Sequence, residues 1–310
     1  MPLQPLTASP QLFVHHFLAE SIDYAGLFPP ANPSMEQVVR HYHSYRTGDD
    51  RWALGRLVVP ANRLEELAQS MQSVEIPPGE PWLLSALLGP EPLVDLDRID
   101  RFNSEHPSIA RVDSCEGRLA EPERITAVAK RCVSGIALYC ELPLDANKAN
   151  LDKNLEAILD VVKTAGARAK IRMGGVTPDL FPHPERVLHF LSAVTTARIP
   201  FKATAGLHHP LRSTYPLTYE PHAPTGMMYG FLNLVFATAA LLAGVDIERA
   251  SGLLLEENRA AFRCTDTDAA WEGTILSIDD LRRMREIFCG FGSCSFREPI
   301  DDLKKIGFLS

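Results

Sequence analysis

Short apolar runs alternate with amphipathic stretches along most of this chain. Runs at residues 54–60 (LGRLVVP), 83–89 (LLSALLG), 109–115, 136–142 (IALYCEL), 167–174 and 200–206 each have the length of a buried strand. A further run at 24–30 ends in paired prolines. A helix is predicted over 11–20. Between the runs, residues 33–46, 63–72, 93–103, 121–132, 152–165 and 184–197 space their apolar positions helically, as with Leu64, Leu67, Ala68 and Met71. Successive units begin roughly 25 to 33 residues apart, the length of a strand, a helix and two connections. Such a series predicts an α/β fold, either a closed (β/α)8 TIM-type barrel or an open doubly wound sheet. Gly-x-Gly-x-x-Gly after the first strand is missing, as is a P-loop, which favours the barrel.

After the seventh strand the rhythm breaks. A loop rich in proline and histidine fills 207–226, helices are predicted over 229–243, 247–262 and 278–288, and an eighth strand over 290–296 precedes a helix from Glu298. No Gly/Ser-rich linker divides the chain. The expectation is one barrel domain over 1–310, with a helical insertion at about 207–289 between strands seven and eight. The uncharged run 227–244 is barely long enough for a membrane span and contains Asn233 and Thr238, so a buried helix is the better reading.

Composition narrows the partners. A net charge of −8 and a pI near 5.7 speak against nucleic acid. The six cysteines lack C-x-x-C spacing, which points to reduced thiols in a cytoplasmic protein, and residues 1–11 carry no signal-peptide pattern. A homo-oligomer is a further expectation, with the 227–244 helix read by default as core and only in part as a subunit interface.

Strand periodicity then places the polar residues. In 167–174, Lys170 and Arg172 share one face and Ala169, Ile171 and Met173 the other. In 200–206, Lys202 and Thr204 oppose Phe201 and Ala203, and in 136–142, Tyr139 pairs with Glu141. For the fourth strand, either Arg111 and Asp113 or Val112 and Ser114 face inward. The apolar sets suit the helix ring, so the charged sets point into the barrel. There they imply a ligand site at the C-terminal strand ends, or else a buried ion-pair layer joining Glu141 to Lys170 or Arg172. Two neighbouring lysines suggest that each depresses the other's pKa, freeing an amine to attack a carbonyl.

Lys202-Ala-Thr-Ala-Gly206 resembles the Lys-Thr-Ser-Thr-Gly strand end of deoxyribose-phosphate aldolases, class I aldolase barrels whose lysine forms an imine. That family's second lysine stands in Lys-Ala-Ser-Gly-Gly on the following strand, whereas here the glycine pair follows Lys170 on the preceding one. The resemblance implies Lys202 as nucleophile. The expected enzyme is a lyase acting on a small anionic carbonyl compound. In it Lys170 tunes Lys202, Arg172 clamps the anion, and Glu141 and His208 move protons.

Thr204, His209, Arg212 and the Gly292-Ser293 strand end are candidate substrate contacts, with the 207–226 loop as a lid. Competing readings make His208 a loop cap and Gly290-x-Gly292-Ser293 a tight strand end; Asp23, before the first strand, is read as a helix–strand turn in preference to a carboxylate reaching the pocket. The histidine pairs match no metal-binding pattern, so neither a metal nor another cofactor is expected. The same lysines and arginine equally suit a phosphosugar- or phosphoribosyl-handling barrel. A third reading is a degenerate, non-catalytic barrel.

Overall fold

The computed structural model describes residues 11–132, 135–144 and 151–309; the amino-terminal stretch read for a signal peptide lies largely outside them. Helix α1 (Gln11–Leu18) leads into β1 (Ile22–Tyr24), α2 (Met35–Thr47), β2 (Leu54–Pro60), α3 (Leu64–Met71) and β3 (Trp82–Leu87). There follow α4 (Pro92–Glu105), β4 (Ala110–Arg118), α5 (Pro122–Arg131), β5 (Ala137–Glu141), α6 (Leu151–Thr164), β6 (Arg168–Arg172), α7 (Pro184–Ala197) and β7 (Phe201–Thr204). Strand β13 (Phe288–Ser293) lies between β7 and β1, every neighbouring pair is parallel, and the eight strands close into a barrel. The fold is a (β/α)8 TIM-type barrel, closed by α11 (Arg297–Lys305) after the last strand.

Local chemistry explains where the helices start. Ser34 and Gln37 form a reciprocal capping box at α2, and Ser277 and Asp280 do the same ahead of residue 278. Helices α4, α5 and α7 each open on proline, whose missing N–H has no helical partner to lose. Outside the cylinder, Ala169, Ile171, Phe201 and Ala203 are fully buried, and Phe201 meets Phe190 of α7 edge-on at 5.4 Å. Burying each such large side chain contributes about 1.5–3 kcal/mol.

The segment between β7 and β13 contains the expected helices α8 (Phe231–Leu242), α9 (Ile247–Leu255) and α10 (Ile278–Ile287). It also contains strands the sequence did not reveal. An antiparallel hairpin joins β8 (Ser213–Pro216) to β9 (Thr225–Met228), and β10 (Phe262–Cys264), β11 (Asp268–Trp271) and β12 (Thr274–Ser277) form a small antiparallel sheet. At three or four residues each, these strands are too short to show a period. Helix α8 is buried from Phe231 to Ala240 and packs on α7, α9, α10 and β13. No helix among the described residues is long and apolar enough to cross a membrane.

Two boundary differences matter for the site. The first strand is residues 22–24, not 24–30, which puts Asp23 inside a strand. The fourth runs on past Cys115 to Arg118, which adds Glu116. A tight approach fixes the eighth strand. The backbone of Gly290 has φ of +150°, a Cβ there would lie 2.6 Å from the Ser21 carbonyl oxygen, and Phe291 N–H donates to that oxygen at 2.8 Å. Replacing Gly290 with Ala should therefore cost about 1–3 kcal/mol in a urea titration, since backbone rather than a flexible side chain must yield. An unchanged midpoint would refute this.

Candidate active site

Lys170 and Lys202 are register partners on β6 and β7, and both point into the barrel. What holds them apart is Glu116 from β4. Lys170 Nζ donates to Glu116 Oε2 at 2.6 Å and to Glu141 Oε2 at 2.8 Å. Lys202 Nζ donates to Glu116 Oε1 and to Asp23 Oδ2, both at 2.8 Å. Arg118 Nε stands 3.4 Å from Glu141 Oε1. The result is a chain of alternating sign, Asp23–Lys202–Glu116–Lys170–Glu141–Arg118, drawn from β1, β7, β4, β6 and β5. Ser85 on β3 donates to Glu116 Oε1 at 2.7 Å and completes that carboxylate's shell. Nearer the strand starts, Arg56 makes a two-pronged bond to Asp113, and Arg168 donates to the Tyr139 hydroxyl.

This network corrects the expected role of Lys202. Burial disfavours its ammonium, but Asp23 and Glu116 outweigh burial and hold its pKa above the ordinary lysine value. Lys202 is 2% exposed, its amine rests 5.1 Å from the Tyr139 ring, and it does not reach the cavity at the barrel mouth. Lys202 is therefore not depressed by its neighbour, because the Glu116 carboxylate intervenes. Glu116, 1% exposed, is opposed by burial, yet its two ammonium partners keep it well below the usual carboxylate range. Glu141 is lowered likewise, burial being overcome by Lys170, Arg172 and Arg118.

A cavity of about 610 Å³ opens at the C-terminal strand ends. Of the residues picked from sequence, Lys170, Glu141, Arg172 and Thr204 line it on the β5–β7 side, with His208, His209 and Gly292 beside them. Ser293 lies just behind, its Oγ 3.3 Å from His208 Nδ1. Arg212 is not brought to the cavity: its guanidinium pairs with Glu257 and its N–H donates to Asn233. Arg172 Nε donates to the Gly174 carbonyl at 3.0 Å. Gly206, with φ of +69°, turns the chain where a Cβ would meet Phe181 and the Gly174 Cα at 2.9 and 3.1 Å, so the two glycine-ended strands abut.

The paired histidines diverge. His208 Nδ1 lies 3.1 Å from Glu298 and 3.8 Å from Cys294 Sγ, and Tyr219 donates to the same Glu298 at 2.9 Å. Burial opposes its charge, but Cys294 and Glu298 push its pKa up to about 10. At neutral pH it is an acid, not a base. His209 stacks on Tyr215 at 3.6 Å, and burial lowers its pKa despite Asp302 at 2.6 Å.

A folded-state pKa raised above 6.5 means that the His208 contribution is complete below that pH and fades as pH rises through about 10. Between pH 7 and 10 the wild type should lose about 1.5–3 kcal/mol more unfolding free energy than His208→Gln, the range for a charge-assisted bond. Parallel slopes in guanidinium titrations would contradict this.

Glu116, Asp23, Arg118, Tyr219 and Glu298 were not picked from sequence as site residues. Glu116 and Arg118 continue the period-two pattern from Ser114, a signal hidden by ending the strand at Cys115.

No family model matches this sequence, and no curated protein matches it. Among solved structures, the tetrameric deoxyribose phosphate aldolase from Aeropyrum pernix is similar at 15% identity and a TM-score of 0.34, covering 96% of this chain and 97% of that one.

Proposed function

We propose that this barrel is an enzyme that forms an imine between Lys170 and a small anionic carbonyl compound and uses it for lyase chemistry of the aldolase type. The observation that carries the reading is that Lys170 borders the cavity while held by two carboxylates, Glu116 and Glu141, both of which also border it.

In the reaction Lys170 passes a proton to Glu141. The neutral amine adds to the carbonyl carbon, the oxygen departs as water after taking up two protons, and a protonated imine remains. That cation has the charge of the ammonium it replaces, so Glu116 and Glu141 stabilise it without rearrangement. It then draws in the electron pair of the carbon–carbon bond one atom away, while the hydroxyl on the far carbon gives its proton to Glu141 and that fragment leaves as an aldehyde; the enamine left on Lys170 takes up a proton and water then releases the product. Arg118 and Arg172 flank the amine and hold the anionic group, and His208 supplies a proton at the β7–β13 side.

Borohydride reduction with aldehydes and 2-oxo acids, followed by peptide mapping, is expected to place the adduct on Lys170 and none on Lys202. No adduct with any carbonyl compound would end the imine reading. A second reading, favoured by the rim arginines Arg118, Arg124 and Arg172, is a phosphosugar-handling enzyme in which Lys170 binds phosphate without covalency. Competition by inorganic phosphate with nothing trapped would select it.

A further inference from the structure

The cavity is polarised in a way that specifies more of its ligand. Most of its charged groups gather on β4, β5 and β6, with Arg124 on α5 and His208 and Glu298 on the β7–β13 side. Arg118 is in register with Glu141, and Glu141 with Lys170. Arg172 lies two residues past Lys170 on the same strand, about 6–7 Å along it. Two of the cations available to an anionic group, Arg118 and Arg172, thus sit close to the amine along these strands.

The opposite side is different. Phe28, Pro30, Val58, Leu87 and Leu88, from β1, β2, β3 and the turns after them, line it, and no lining side chain from those three segments offers the cavity a hydrogen bond. Leu217 and Met228 of the β8–β9 hairpin extend the apolar surface across the mouth. A polyhydroxylated chain placed there would surrender its water contacts and gain no partners, whereas a hydrocarbon chain would only gain. The volume of about 610 Å³ is far more than a three-carbon acid needs and falls within the range of cavities that enclose drug-sized ligands.

We infer that the ligand is a 2-oxo acid whose only hydroxyl is the one on carbon 4 that aldol cleavage requires, and whose chain beyond that carbon is an alkyl or aryl group seated against the β1–β3 wall. The carboxylate belongs next to the carbonyl because Arg118 and Arg172 are next to Lys170. The chain beyond is apolar because the side chains of that wall, Phe28, Pro30, Val58, Leu87 and Leu88, are apolar. This rests on the imine reading for the carbonyl, but the wall can be read without it.

The experiment therefore uses two series. Straight-chain carboxylates from butanoate to octanoate carry no carbonyl beyond the acid group and cannot form an imine; their dissociation constants, measured by calorimetry, should fall about fourfold per methylene, equivalent to about 0.8 kcal/mol. The matching 2-oxo acids should show the same dependence in the concentration giving half-maximal borohydride trapping. Leu87→Asn, at a half-buried position of this wall, should flatten both dependences, with the melting temperature read alongside to check the fold. Phe28→Ala should flatten them too.

A constant affinity along the carboxylate series, or tighter binding of acids of equal length hydroxylated beyond carbon 4, would overturn the inference. If the carboxylates show the fourfold steps and no 2-oxo acid is trapped, the wall stands and the imine falls.

Discussion

Glu116→Gln is expected to lower the free energy of unfolding by about 3–5 kcal/mol, one of the larger stability losses this chain can suffer from a single isosteric change. The amide retains the shape, but two buried ammoniums lose their shared counter-ion. Lys170 keeps Glu141 and Lys202 keeps Asp23, so neither is stranded; the loss arises because two cations then face each other across a neutral group.

The pH dependence carries the same information. Glu116 has a folded pKa below its unfolded value, so its contribution is complete above about pH 4.5 and is lost as pH falls towards its depressed folded pKa. In urea titrations the wild type should weaken more steeply with acid than the variant does. Adding Lys202→Met should cost less in the Glu116→Gln background than in the wild type, because the two lysines interact through Glu116. Additive losses would show that the carboxylate does not couple them.

Much of this arrangement was readable from the chain. Strict alternation around Lys170 and Lys202, with Ala169, Ile171, Phe201 and Ala203 as the opposite set, is enough to send both lysines inward, because only the apolar set can pack against helices. The same logic placed Tyr139 and Glu141. What could not be read is partnership. Glu116 lies 54 positions before Lys170 and 86 before Lys202, and nothing local in a Glu-Gly-Arg stretch after an apolar run distinguishes a strand end from a turn. Asp23 belongs to a three-residue strand, too short to show a period.

The sign of the Lys202 shift followed from those two omissions. Two lysines in register look mutually repulsive until the carboxylates from β1 and β4 are set between them. On the fourth strand both alternatives were partly met. The register skips Asp113 between the pairs Leu84–Val112 and Ser85–Ser114, and Asp113 bonds Arg56 while Ser114 lies 3.2 Å from Ser85.

The sharpest separation lies between the two lysines. Lys170→Met should abolish borohydride-trapped adduct while leaving the fold comparatively sound, because its partners are covered twice: Glu116 retains Lys202, and Glu141 retains Arg118. Lys202→Met should do the reverse. It strips the buried Asp23 of its ammonium, leaving only the Arg56 backbone N–H at 2.8 Å on one oxygen. The expected loss is about 3–5 kcal/mol, read as a lower urea midpoint, with adduct on Lys170 still forming in the folded fraction. Adding Asp23→Asn should restore part of that stability by removing the stranded charge, which a mere packing defect would not permit. If Lys202→Met instead loses the adduct at full stability, the deeper lysine takes part in the chemistry and the division of labour is wrong.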